Sequence, residues 1–304
     1  MLVDLTAYNY LEERILTVFK RLPGTPIPTL SCKTKNGVTI AGDEWGNPNN
    51  PPVILLHGGG QTRHAWKNTG KALSRAGFYA IALDARGHGD SDWSPSGDYD
   101  QDLMVSDLKE VCEELNISNF SLVGASMGGG TGLIAAGEER IEIKTLVLVD
   151  IAPQIESDGV KRILEFMDTK PDGFNSLEEV AALISSYQPH RKKTNNLSGL
   201  KKNLRIDDKG KYRWHWDPKF ISMRTTIERR KNRLEECAKK LSIPTLLVRG
   251  GLSDVLSEEG ANNFLQLCKH AEYSNVASAA HMVAGDRNDI FAKTVIEFLS
   301  RHID

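Results

Sequence analysis

The run Gly124-Ala125-Ser126-Met127-Gly128-Gly129-Gly130 is where residue type and spacing point most directly to chemistry. It follows the apolar stretch Phe120–Val123 and precedes a helical pattern, so it reads as a sharp strand-to-helix turn with Ser126 at its tip, a nucleophile elbow. Small flanking residues let the backbone turn tightly and leave the hydroxyl exposed. The helix that starts there aims its free N–H groups, and the positive end of its dipole, at any negative charge that develops. A phosphate-cradling turn has a similar glycine content, but no Lys follows it here.

A serine hydroxyl is a weak nucleophile until a histidine, itself held by a carboxylate, removes its proton. Of the eight histidines, His281 in Ser278-Ala279-Ala280-His281-Met282 lies just beyond the last predicted strand, where a loop brings it over the sheet edge. His270 and His302 fall at a helix end and in the C-terminal tail. The orienting acid is expected to be Asp254, in Arg249-Gly250-Gly251-Leu252-Ser253-Asp254, with Asp150 at the end of the preceding core strand as its rival. The chain order is then Ser126, Asp254, His281. The fourth station is His57-Gly58-Gly59-Gly60, after Val53–Leu56. Two backbone N–H groups that receive an oxyanion each contribute about 3 kcal/mol to the transition state. Met127 is expected to supply one and Gly59 the other, with Gly60 second; His57 is read as structural.

These stations need a scaffold. Short β-rich runs at Val53–Leu56, Tyr79–Leu83, Phe120–Val123 and Thr145–Val149 alternate with helical stretches near 64–76, 100–115 and 127–140, the pattern of a parallel sheet wrapped by helices. Before them, Thr29 to Lys35 and Val38 to Trp45 read as a hairpin closed by Asn36-Gly37. Leu11, Ile15, Val18 and Phe19 predict an N-terminal helix over 5–20, ended by Pro23-Gly24. The alternation breaks after Pro153 and resumes at Pro244 with the strand Thr245–Val248, a helix over 257–270, the strand Ala271–Val276 and a closing helix over 286–301. A mainly helical insertion between the sixth and seventh strands explains the break, which divides the chain into 1–153, 154–240 and 241–304.

Charge supports this division. The chain of 304 residues carries a formal charge of −2, which argues against a generic nucleic-acid binder. From His190 to Lys240, however, 17 Lys and Arg face six acidic residues, a local balance of +11. No apolar run approaches the roughly 20 residues of a membrane span. The acidic residues near the start do not read as a signal peptide. Four scattered cysteines without a Cys-x-x-Cys pair suit a reduced, cytoplasmic chain in which they serve as packing residues. Neither a metal site nor a cofactor motif is evident.

Together, His57–Gly60, Asp84-Ala85-Arg86-Gly87-His88-Gly89-Asp90-Ser91, the Ser126 elbow, Asp254 and His281 resemble the α/β-hydrolase superfamily, in its capped serine-hydrolase subgroup. That subgroup includes bacterial esterases, monoalkyl aromatic-diacid ester hydrolases, carbon-carbon bond hydrolases and cofactor-free haloperoxidases. The resemblance runs from about residue 38 to the C-terminus. It implies an eight-stranded, mostly parallel sheet, a helical cap after strand 6 and Ser-Asp-His chemistry on a small-molecule ester. Relatives with an aspartate nucleophile are disfavoured by Ser126. Carbon-carbon hydrolysis of a vinylogous diketone acid stays open, although Met282 stands where many such enzymes have Trp. A non-turnover ligand receptor on the same fold is the third reading.

Substrate-facing candidates are Gly60, Trp66, Trp214, Trp216 and Met282, with Met127 beside them. In Trp214-His215-Trp216, alternation places both indoles on one face of an extended segment, either as an aromatic wall or as an anchor for the cap. The basic insertion is either a solvated surface or an attraction for an anionic monoester.

Overall fold

A computed structural model describes residues 19–189, 197–222 and 227–302. The helix predicted over 5–20 therefore lies, apart from its last two residues, outside the described residues. In chain order the elements are β1 (Lys20–Arg21), β2 (Leu30–Lys33), β3 (Thr39–Trp45), β4 (Pro52–Leu56), α1 (Lys67–Arg75), β5 (Tyr79–Leu83), α2 (Gln101–Glu114), β6 (Phe120–Ala125), α3 (Met127–Gly137) and β7 (Ile143–Val149). They continue with α4 (Ser157–Met167), α5 (Leu177–Tyr187), β8 (Leu204–Ile206), β9 (Tyr212–Trp214), α6 (Ile227–Lys240), β10 (Thr245–Gly250), α7 (Glu258–Leu267), β11 (Glu272–Val276), α8 (Val283–Asp286) and α9 (Asn288–Ser300).

Eight strands form one sheet in the order β11-β10-β7-β6-β4-β5-β3-β2. Only the β2–β3 and β3–β5 pairs are antiparallel. The central strands are buried on both faces, as parallel strands flanked by helices must be. Alternate residues serve opposite layers. Ile54, Ile81, Leu122, Leu148 and Leu247 pack with Leu108 of α2 and Leu133 of α3. Val53, Leu55, Val123, Val147 and Val248 pack with Leu73 of α1 and Phe291, Phe298 and Leu299 of α9. At the hairpin between β2 and β3, Gly37 takes a positive φ of 84° while Asn36 does not. The turn is thus wider than the two-residue form expected, and Thr34 and Val38 close it through Thr34 N–H to Val38 O at 2.9 Å.

The chain forms two compact units. The larger comprises Pro28–Asp168 and the chain from Trp216 onward; the smaller comprises Thr169–His215 with the described residues before Pro28. These are not the boundaries read from the sequence, because α4 and α6 belong to the larger unit. The packing shows why for α6, whose Leu234, Cys237 and Ala238 are buried in the same core as α3. In the smaller unit β1, β8 and β9 form an antiparallel sheet around Leu22, Phe174, Val180 and Leu204, joined by α5. Strands of two or three residues leave no readable periodicity. All four cysteines are buried and unpaired, and burial raises the Cys32 thiol to about 11 and that of Cys112 to about 12.

A buried ion pair fixes the segment after β5. Arg86 grips Asp107 of α2 with two parallel hydrogen bonds, Nε to Oδ2 and Nη2 to Oδ1, both 2.6 Å. Burial pushes the Asp107 carboxyl up, and Arg86 opposes that shift. Replacing Arg86 by Leu leaves an unmatched buried carboxylate, and breaking such a pair costs about 3–5 kcal/mol. Urea denaturation is expected to show a loss of that size; a loss below about 1 kcal/mol, the range of a surface pair, would contradict the structural role.

Candidate active site

Ser126 ends β6 and opens α3 with φ 47° and ψ −110°. Such a conformation costs a side-chain-bearing residue about 1–3 kcal/mol, and the surroundings must impose it. They do so through the backbone: Ser126 N–H donates to Val149 O at 3.0 Å, Gly130 N–H to Ser126 O at 2.9 Å and Gly128 N–H to His57 O at 3.2 Å. Close approach explains two of the glycines. A Cβ on Gly124 would stand 2.5 Å from the Gly128 carbonyl oxygen, and one on Gly128 would stand 2.5 Å from that of Leu56.

His281, beyond β11, donates Nδ1–H to Asp150 Oδ2 at 2.6 Å. A carboxylate only accepts, so the proton sits on Nδ1 and Nε2 keeps its lone pair. Asp150 is fully buried, immediately after β7, with φ 52°. Its Oδ1 accepts Gly250 N–H at 2.8 Å, and its Oδ2 also accepts the Ser253 hydroxyl. Asp254 is elsewhere: it is exposed and paired with Arg162 of α4. The acid on His281 is therefore the rival, Asp150, and not Asp254.

Register accounts for the difference. Val149 pairs with Val248 across β7 and β10, and Asp150 N–H donates to Val248 O at 2.7 Å, which sets Asp150 beside Gly250. After β10 a turn closed by Ser253 N–H to Gly250 O at 2.9 Å brings residue 253, not 254, against Asp150.

On the other flank of Ser126, a Cβ on Gly58 would lie 3.2 Å from the Ser126 Cβ. Gly60 N–H is already given to His88 Nε2 at 3.1 Å. Among the described residues no protein acceptor takes the N–H of Gly59 or of Met127, the latter being the first residue of α3. The geometry thus separates the two glycines that the sequence left as alternatives.

The match with known proteins now decides the family. The model of the alpha/beta hydrolase fold family matches residues 51–287. The chain is an α/β-hydrolase. An esterase of Mycobacterium tuberculosis is 30% identical over 254 residues, covering 82% of both chains. A 2-hydroxy-6-oxo-6-(2'-aminophenyl)hexa-2,4-dienoic acid hydrolase of Metapseudomonas resinovorans is 27% identical, over 83% of this chain and 85% of that one. Among solved structures, E-2-(acetamidomethylene)succinate hydrolase superposes with a TM-score of 0.77 at 21% identity, covering 89% of this chain and 99% of that one; this similarity shows the fold.

The aromatic residues expected to line the hydrolase site do other work. Trp66 is 1% exposed and packs on Phe291, ring centroids 5.9 Å apart. Trp214 packs edge-on against Phe174 at 5.2 Å in the smaller unit, while Trp216 is buried in the larger one. Met282 is half-buried beside His281 and opens α8. The residues against the glycine loop are ones the sequence reading missed. A Cβ on Gly59 would stand 3.6 Å from Phe220, and one on Gly60 would stand 3.2 Å from the Met167 sulfur. Phe220 carries no periodic signal, and Met167 sits at the last turn of α4.

The glycine loop is held by two buried imidazoles. His57 donates Nδ1–H to Gly58 O at 2.8 Å and accepts Ala85 N–H on Nε2 at 2.9 Å; His88 donates Nδ1–H to Arg86 O at 3.2 Å while accepting from Gly60. Beneath them Arg63 is wholly buried among Asp43, Asp84 and Asp90 at 2.5 to 2.9 Å, tying the segment after the glycine loop to the one carrying His88. Burial pulls His57 down to about 4 and His88 to about 3, the latter also through the neighbouring His57. An unfolded chain protonates both below about pH 6.5. It therefore binds more protons than the fold as pH drops from there through those lower values, and stability falls. Between pH 7 and pH 4 the denaturation midpoint is expected to decline more steeply than in His88→Asn, which keeps an acceptor near Gly60 but binds no proton. Equal declines would contradict a neutral buried His88.

Proposed function

We propose that this α/β-hydrolase cleaves a carboxylic ester through an acyl-enzyme, with Ser126 as nucleophile, His281 as base and Asp150 as the acid that orients it. The observation that carries this reading is the buried Asp150 carboxylate on His281 Nδ1, beside the strained Ser126 turn. His281 Nε2 takes the Ser126 proton as Oγ attacks the ester carbonyl, and Asp150 stabilises the resulting imidazolium. The N–H groups of Met127 and Gly59 receive the oxyanion. Collapse expels the alcohol, which leaves with the proton from His281. Water, deprotonated by the same imidazole, then attacks the acyl-enzyme and frees the acid and Ser126.

Phe220 and Met167 against the glycine loop suit an apolar or aromatic group next to the reacting carbonyl, and the thioether of Met167 adapts to its shape. In the basic segment, Arg213, Lys231, Arg233 and Lys239 are matched to carboxylates. Arg230 instead meets the neutral Gln101 amide oxygen at 3.4 Å, which makes it one cation that an anionic monoester could engage. The relative from Metapseudomonas resinovorans supports carbon-carbon bond hydrolysis as the second reading.

An aryl ester and a vinylogous diketone acid, each offered to wild type and three variants, test the proposal. Multiple turnovers of the ester, lost in Ser126→Ala and reduced about 10³- to 10⁴-fold in Asp150→Asn, are expected. Asp254→Asn is expected to change the rate less than about threefold. Faster turnover of the diketone acid selects the second reading. A single stoichiometric binding event, or hydrolysis that survives Ser126→Ala, contradicts both.

A further inference from the structure

Ser253 precedes Asp254, the acid expected from the sequence, in the loop after β10, and its hydrogen bonds leave little freedom. Its Oγ accepts two backbone N–H groups, from Val255 at 3.1 Å and Leu256 at 3.2 Å. With its acceptor side occupied, the hydroxyl proton is directed to Asp150 Oδ2, the oxygen that holds His281. Asp150 therefore receives three donors: Gly250 N–H, the Ser253 hydroxyl and His281 Nδ1–H. The loop itself is tied to the segment bearing His281 by Gly251 N–H to Val276 O and Leu252 N–H to Ala279 O, both 2.9 Å.

We propose that Ser253 is a positioning residue that locks the Asp150 carboxylate on His281. The inference rests on the triad proposed above. Two loops converge on one point: the end of β7 supplies the acid, and the turn after β10 supplies a hydroxyl within hydrogen-bond reach of the same carboxylate oxygen.

A hydroxyl that donates to Oδ2 draws negative charge away from the His281 hydrogen bond. Its removal leaves a more basic carboxylate, which favours the imidazolium, so the acid limb of kcat/KM moves to higher pH. The other charged groups near His281 stay in place. Asp286 of α8 accepts Ala280 N–H at 3.0 Å, Arg287 donates to Ser278 Oγ at 2.5 Å, and Asp254 remains on Arg162.

The experiment compares Ser253→Ala, Ser253→Thr and Asp150→Gly, each checked for a native unfolding transition. Ser253→Ala is expected to lower kcat roughly 10- to 100-fold, with KM little changed and the acid limb raised. Ser253→Thr, which retains the hydroxyl, recovers most of that loss. Equal losses in the Ala and Thr variants, or an unmoved acid limb, would overturn the proposal. Wild-type turnover in Asp150→Gly would instead overturn the acid assignment on which it rests. Lost turnover there, combined with an unaffected Ser253→Ala, would overturn the role of Ser253 alone.

Discussion

The rest of the site depends on one buried carboxylate. Asp150 has no access to water, and a lone ionised group in that position would be strongly unfavourable unless donors surrounded it. Gly250 and Ser253 provide donors from the end of β10 and the turn after it, and His281 provides one from the loop beyond β11. Satisfying the carboxylate therefore requires the carboxyl ends of β7 and β10 and the loop beyond β11 to meet at one point. Val149, the residue before Asp150, accepts the Ser126 N–H, so the same point is joined to the nucleophile turn. Parallel strands make this possible because all their carboxyl ends open on one edge, where ligands of such sheets bind.

Strain and packing divide the remaining work. Ser126 and Asp150, at the ends of the neighbouring strands β6 and β7, both take positive φ values, and both are held by hydrogen bonds from adjacent strands. The facing loop is stiffened differently, by neutral imidazoles and by Arg63 among three carboxylates. Burial keeps His57 and His88 uncharged, which lets each ring accept a backbone N–H on Nε2. One of those N–H groups belongs to Gly60. The neighbouring Gly59 N–H has no protein acceptor among the described residues.

Much of this could be read in the sequence, for identifiable reasons. The sheet announces itself through apolar runs buried on both faces, and the Ser126 turn through glycines that only close backbone approach explains. His281 could be placed because it follows the last strand. Asp150 and Asp254 could not be ranked correctly, because both follow core strands and side-chain direction in such turns depends on hydrogen bonds that no periodic pattern reports. The tryptophans misled for a related reason: a large aromatic near a motif reads the same whether it faces a ligand or, like Trp66, a core phenylalanine. The short strands β8 and β9 escaped because three residues carry too little alternation to register.

The direct test of the central claim is proton NMR of the His281 ring. A strong Nδ1–H bond to a buried carboxylate gives a far-downfield, slowly exchanging resonance. That resonance is expected in the wild-type protein and in Asp254→Asn, and should be absent from Asp150→Asn. Its loss in Asp254→Asn together with its survival in Asp150→Asn would contradict the account.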